Sequence, residues 1–339
     1  MLYLICDSKQ KNPSSIMRRI AWLSIYRPLL FLLISGGFMS QFQKNRFYFG
    51  NTVVFTLLVL LSLGVQATPM DEVIMKPISE EEQRAALNYW TDERIEQTLA
   101  QNKAYDFQPD RVSPAGGTEM MSTGRLFFIR NGRNSFCTAN AEESATKSVI
   151  ATAAHCAKVP ATQAGRVRIA HLVFLAHYRR GEWAGRFPIR NVFTVVGWDA
   201  RAEEGFDFAF LSAGYDNYGT KVGNLVMASP IRFFAPPLLG NFYMYGYPAA
   251  IQGGEFPYKC STVHPIENPV FRPGPELRIG RNCRDFSGGT SGGPVMQTLQ
   301  DGTYQTGNVK SYISSSGSVA FTYWETAAHG AWDRAQHDE

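Results

Sequence analysis

From Met121 to Trp324 the chain is written in short apolar runs broken by turn signals, a pattern that admits strands and leaves little room for long helices. In the first half the clearest runs are Leu126–Ile129, Ser148–Thr152, Val167–Phe174, Val192–Val196 and Phe208–Leu211. In the second they are Asn241–Tyr245, Glu276–Ile279, Pro294–Gln297, Thr303–Ser311 and Val319–Trp324. Asn131-Gly132 is a hairpin signal, because both residues tolerate the positive φ that a tight turn demands. Nothing in this stretch reads as a strand, crossover helix and second strand; only Glu325–Gln336, at the end, reads as a helix. Thirty glycines, eighteen prolines and a 13% aromatic share suit such a turn-rich all-β chain, and 45% apolar residues supply one large core or two small ones. A net charge of +4, with both signs interspersed and no strong basic tract after Ala67, argues against a nucleic-acid or membrane-surface partner.

The N-terminal region has a different composition. Ile20–Phe38 is apolar but interrupted by Arg27 and Pro28, whereas Thr52–Val65 is a clean apolar run followed by Gln66 and Ala67. The second run reads as a signal peptide: with a start at Met39, Lys44 and Arg46 form the positive region, Val53–Leu63 the apolar stretch and Ala67 the small residue before cleavage. Residues 1–67 are thus read as a targeting region, with 1–38 as an upstream extension, and the chain meets a membrane only if these segments are retained. Residues 68–115 turn polar and charged. Ser79 followed by Glu80-Glu81-Glu82 is a helix-start signature, and a second helix is expected after Thr91. This segment reads as a propeptide removed on maturation, the alternative being an extension that packs on the outside of the folded domain, residues 116–339.

Three stretches carry chemistry. Phe286-Ser287-Gly288-Gly289-Thr290-Ser291-Gly292-Gly293-Pro294 holds a serine between two glycine pairs. Glycines before it let the N–H groups of Gly289 and Ser291 converge on one oxyanion, and those after it keep Cβ atoms out of a substrate's way. Upstream lie Ala151-Thr152-Ala153-Ala154-His155-Cys156 and Gly205-Phe206-Asp207-Phe208-Ala209-Phe210-Leu211. A serine hydroxyl is a weak nucleophile until an imidazole takes its proton and a carboxylate fixes the imidazole tautomer, which casts Ser291, His155 and Asp207 as nucleophile, base and orienting acid. Asp199 and Asp216 are the alternative acids. Thr326-Ala327-Ala328-His329 repeats part of the histidine motif but falls in the expected terminal helix, and His171, His177 and His264 lack metal-ligand spacing. Neither a metal nor a cofactor is expected. Cys6 precedes the apolar segments, leaving Cys137, Cys156, Cys260 and Cys283, which allow three pairings.

These motifs resemble the trypsin/chymotrypsin family of serine endopeptidases, over roughly Gly116 to the C-terminus. Ser122-Thr123-Gly124-Arg125-Leu126-Phe127-Phe128 and Gly246-Tyr247-Pro248-Ala249 resemble its secreted microbial branch, which includes relatives of the glutamyl endopeptidases. The resemblance implies two antiparallel six-stranded β-barrels, about 121–230 and 231–324, with a C-terminal helix at 325–336 and the triad in the crevice between the barrels. It favours disulfides Cys137–Cys156 and, by remainder, Cys260–Cys283, and with them an oxidising compartment. It implies a secreted, monomeric hydrolase of proteins or peptides. Asp285, six residues before Ser291, occupies the place of the acid that selects Lys or Arg, and Ser311 and Tyr312 resemble the pair whose backbone binds an extended peptide. Three departures matter. Thr290 replaces the aspartate that receives a new N-terminus in vertebrate zymogens, Ser287 stands where the trypsin branch has a cysteine, and Thr303–Ile313 contains no histidine to select glutamate. The alternatives to a peptidase are an inactive homologue acting as a binding protein and an esterase using the same triad.

Overall fold

The computed structural model describes residues 69–101, 113–115, 121–236, 239–262, 270–271, 275–279, 283, 285–313 and 318–339, all within one compact unit running from Gln66 to Glu339. The expectations for residues 1–67 lie outside the described residues. Among those described, no helix is long and apolar enough to cross a membrane.

Six strands close into a barrel: β3 (Thr123–Arg130), β4 (Arg133–Ala141), β5 (Val149–Thr152), β6 (Ile169–Ala176), β7 (Gly185–Val195) and β8 (Ala209–Ala213). The order around it is β3-β4-β5-β8-β7-β6, closed by the β6–β3 pair and antiparallel throughout. Closure removes the free edges that would otherwise invite pairing with other chains. The long β7 serves β6 with its first half and β8 with its second, and a register shift between Ile189 and Asn191 lets it bend from one partner to the other. An outer strand, β1 (Val73–Pro77), adds to β7 from outside, pairing Val73 with Val195 through Pro77 with Asn191.

Strict apolar alternation fails in β3 and β6 because both faces of these strands are covered. Leu126, Phe128, Leu172 and Phe174 point into the barrel, while Phe127, Val173 and Leu175 point outward into a second apolar cluster. That outer cluster is roofed by α1 (Glu80–Tyr89) and α2 (Asp92–Gln101), whose Ala86, Trp90, Ile95 and Leu99 are buried in it. The Ser79 hydroxyl caps α1 by accepting from Glu82 N–H at 3.2 Å, and three glutamates in the first turn suit the positive end of the helix.

The second body is an antiparallel sheet in the order β11-β12-β15-β14-β13-β9-β10-β2. Its strands are β2 (Ser113–Pro114), β9 (Asn241–Gly246), β10 (Tyr258–Thr262), β11 (Val270–Phe271), β12 (Pro275–Ile279), β13 (Pro294–Leu299), β14 (Gly302–Ile313) and β15 (Ser318–Tyr323). Phe242, Met244, Val295, Val309 and Phe321 form its core. The terminal helix α3 (Thr326–Gln336) lays Ala328, Ala331 and Ala335 on β7 and β8. His329 sits on this helix against Phe233, ring centroids 5.0 Å apart.

Candidate active site

His155 lies in a single helical turn, Ala154–Ala157, immediately after β5. Asp207 follows the one-turn helix Glu204–Phe206 and precedes β8, so strand pairing between β5 and β8 brings the two together. The carboxylate grips the histidine twice: Oδ1 accepts from the His155 backbone N–H at 2.8 Å and Oδ2 meets Nδ1 at 2.7 Å. A carboxylate oxygen only accepts, so Nδ1 is the donor, and in the neutral tautomer that this bond selects, the Nε2 lone pair is left for a proton. Asp207 is 2% exposed among Phe206 and Phe208, which shields the bond from water. From the second sheet, Asn308 Nδ2 donates to the Asp207 carbonyl at 3.1 Å, tying β14 to the acid. Asp199 instead pairs with Lys158, and Asp216 accepts from the N–H groups of Tyr218 and Thr220 in its own turn.

Ser291 ends a loop whose backbone only glycine can follow at two points. Gly289 has φ +95° and a Cβ there would lie 2.4 Å from Phe136 Cε2, while Gly292 has φ +81° and a Cβ would lie 2.0 Å from Thr152 Oγ1. Within the loop, Thr290 N–H donates to Ser287 O, Gly293 N–H to Thr290 O and Gly292 N–H to Val309 O. The N–H groups of Gly289 and Ser291 have no acceptor among the described residues, which leaves the two expected oxyanion donors unspent. The Thr290 hydroxyl donates to Ser287 O at 2.7 Å, closing a turn where the resembled zymogens carry a charged aspartate. Ser291 Oγ donates to Lys310 O at 3.1 Å and makes no hydrogen bond to His155, and its carbonyl lies 4.0 Å from Sγ of Cys156, the residue after His155.

Thr138 on β4, which the sequence reading did not select, locks this loop to the first barrel. Its N–H donates to Ser291 O at 2.9 Å, its hydroxyl donates to Gly289 O at 2.8 Å, and its Oγ1 accepts from Tyr247 N–H at 3.0 Å. Neighbouring Cys137 is bonded to Cys156, and Cys260 to Cys283. The sulfurs of Cys137 and Cys156 stand near the His155 ring, but bonded to each other they offer no thiolate to a metal.

Asp285 is buried, six residues before Ser291, in the stretch between Cys283 and the loop. Ser311 and Tyr312 are half-buried on β14, where they pair with Ala320 and Val319 of β15. On their other side the pairing with β13 stops at Pro294 with Asn308, so this edge has no strand partner among the described residues. The carbonyl that reaches Ser291 comes from Lys310, one residue before Ser311, because β14 shifts register between Val309 and Ser311. The same bulge sends the Lys310 ammonium to Glu204 at 2.9 Å, an ion pair joining the second sheet to the turn before Asp207. No periodic or spacing signal marks a bulge, which is why Lys310 and Glu204 escape a reading of the sequence.

No family profile matches the chain, and no curated protein matches it in sequence. Solved structures do. The protease Anisep from Arthrobacter nicotinovorans is 27% identical over 66% of this chain and 98% of its own, with a TM-score of 0.56. The thermostable serine protease AL20 from an extremophilic microorganism is 28% identical over 66% of this chain and 100% of its own, also at 0.56. A Glu endopeptidase, 16% identical, covers 69% of this chain and 100% of its own at 0.52, a likeness of fold. The closed six-stranded barrel, the second antiparallel sheet and the terminal helix are therefore those of a trypsin/chymotrypsin-like fold, shared with bacterial serine proteases and, as a fold alone, with the Glu endopeptidase.

Proposed function

We propose that this protein is a secreted serine endopeptidase that cleaves peptide bonds through an acyl-enzyme. Ser291 Oγ attacks the scissile carbonyl while His155 Nε2 takes its proton. Asp207 holds the imidazole and stabilises its charged form, and the N–H groups of Gly289 and Ser291 receive the oxyanion. His155 then returns the proton to the leaving amine, and water repeats the sequence in reverse to free the acid. The observation that carries this reading is the two-point grip of Asp207 on His155 beside a serine loop with two unspent N–H donors. Similarity to proteases across nearly the whole length of those proteins supports it.

In this reading the edge of Ser311 and Tyr312, which has no strand partner among the described residues, takes the substrate as an added strand. Two disulfides support an oxidising, extracellular setting. Ser291→Ala is expected to lower casein turnover by ~10⁴-fold or more and to abolish labelling by a fluorophosphonate. Casein turnover at the wild-type rate in that variant refutes the assignment.

A further inference from the structure

The segment before the barrel does not sit on the surface as a removable cover. Its strand β1 makes five register pairs with β7, and Ile78 N–H adds a bond to Arg190 O at 2.8 Å. Going the other way, Val196 N–H donates to Glu72 O and Gly197 N–H to Met70 O. Tyr89 OH donates to Asn134 Oδ1 at 2.8 Å, and Asn134 Nδ2 donates to Thr98 Oγ1 at 3.0 Å, so both helices are fastened to the β3–β4 hairpin.

The centre of this attachment is Trp90, which is fully buried and donates Nε1–H to the carbonyl of His171 at 2.7 Å. His171 sits on β6 at φ +54°, a left-handed conformation that costs a residue with a Cβ, and its ring stacks on Tyr89 at 5.1 Å and 7°. Barrel strand β6 is thus distorted at the point where the helices dock, and the carbonyl so presented is satisfied by Trp90. That is a barrel shaped around the segment.

The contacts continue inward to the oxyanion loop. Trp90 packs on Phe127 at 5.2 Å and Phe127 on Phe136 at 6.0 Å between ring centroids. Phe136 Cε2 and Tyr247 O form the wall against which Gly289 rests, 2.4 and 2.5 Å from where a Cβ would be. The Arg125 guanidinium lies 3.7 Å over the Phe136 ring and donates to Gly254 O at 2.7 Å, buried in the same cluster. Lifting off α1 and α2 would uncover Phe127, on which Phe136 packs, and loosen the wall behind Gly289.

We propose that residues 69–101 are a permanent support of the oxyanion loop, retained by the active protein rather than discarded on maturation. Trp90 is its key positioning residue, acting on Gly289 through Phe127 and Phe136. This rests on the catalytic reading of Ser291 given above. A protease that cuts the connection between Gln101 and Ser113 would leave a two-chain enzyme with the segment still bound.

The test uses the full chain, purified active and labelled at Ser291 with a fluorophosphonate. Intact mass and N-terminal sequencing are expected to find residues 69–101 in every labelled molecule, as one chain or as a bound fragment. With a specific protease site inserted between Gln101 and Ser113, cutting is expected to leave the labelling rate unchanged. Extracting the fragment in mild denaturant and returning to buffer should lower that rate at least 10-fold, and adding the fragment back should restore it. Trp90→Phe is expected to keep most of the rate and Trp90→Ala to lose it, with KM for a peptide substrate moving less than kcat. Labelled enzyme that lacks residues 69–101 and reacts at the full rate overturns this inference alone, as does labelling that appears only once the segment has gone. No labelling of the chain with or without the segment removes the catalytic reading instead.

Discussion

Gly289 and Gly288 are adjacent, and the structure predicts opposite outcomes for an added methyl group at each. At Gly289 the backbone has φ +95°, so alanine there carries a conformational cost of about 1–3 kcal/mol. The methyl would also stand 2.4 Å from Phe136 Cε2 and 2.5 Å from Tyr247 O. Neither neighbour can retreat easily. Phe136 lies beneath Arg125, and Tyr247 is held by its N–H on Thr138 Oγ1 and by its hydroxyl on Tyr178 O at 2.8 Å. Overpacking of this kind costs about 1–3 kcal/mol more, and the route to relief is rotation of the loop, which swings the Gly289 N–H off the oxyanion. Loss of one such donor lowers kcat by about 10²–10³-fold. At Gly288 nothing lies within 4 Å of a Cβ and φ is not left-handed, so alanine there should stay within about 0.5 kcal/mol of the native stability. Hydrolysis of a chromogenic peptide and thermal denaturation of both variants provide the measurement. Full kcat in Gly289→Ala at an unchanged melting temperature would refute the steric argument. Equal loss in both variants would show that the loop rejects any bulk and that the wall formed by Phe136 and Tyr247 is not the cause.

Two further outcomes follow from charges outside the triad. Lys310 is 10% exposed and Glu204 69%, so their pair is worth about 0.5–1 kcal/mol in a Lys310→Met, Glu204→Gln double-mutant cycle at low salt; because the Lys310 carbonyl holds Ser291, the coupling should appear in kcat, and a cycle with none shows that the ion pair does not position the serine. Glu142 is buried with only Oε1 bonded, to Asn140 Nδ2, and burial holds its pKa well above the ordinary 4.5. As pH rises past that value the unfolded chain gives up a proton that the folded protein retains, so this group lowers stability with increasing pH. Glu142→Gln should therefore be more stable than the native protein at pH 7, by about 1–2 kcal/mol, with the difference closing below about pH 4.5 in thermal or denaturant melts. A difference independent of pH would mean that Glu142 is ionised in the fold.

What could be read from the sequence is what the backbone enforces locally. The glycines around Ser291 announce a loop because positive φ and close approach exclude other residues, and the apolar rhythm announces strands because their side chains alternate. The rhythm misleads where a strand is covered twice. Phe127 and Val173 look like noise in an inward-facing pattern, yet they make the floor for Trp90, and nothing in their own neighbourhood says that a helix from another part of the chain will lie there. The bulge in β14 is hidden for a different reason. It sets the Lys310 carbonyl against Ser291 Oγ just before Ser311 and Tyr312, the pair that the resemblance assigns to substrate binding, and no spacing in the sequence marks where the register shifts.

Thr138 explains why even a complete triad motif underdetermines the site. Its N–H and Oγ1 hold the serine loop and Tyr247, the residue after β9, and its carbonyl accepts from Thr152 Oγ1 at 2.9 Å, on the strand that leads to His155. The proposed chemistry needs His155 and Ser291 held in fixed relation although they belong to different sheets, and no residue within either motif can supply that relation alone. It is supplied by a residue whose side chain and backbone face both, from a strand that belongs to the first barrel and touches the second. Thr138→Val keeps the shape and both backbone bonds but leaves the Gly289 carbonyl and the Tyr247 N–H without their partner, so the strain falls on the oxyanion loop while the grip of Asp207 on His155 stays as it was. Alignment of the proposed catalytic groups is therefore a property of the seam between the two sheets, and the motifs are legible because they are the parts of that seam that tolerate only one kind of residue.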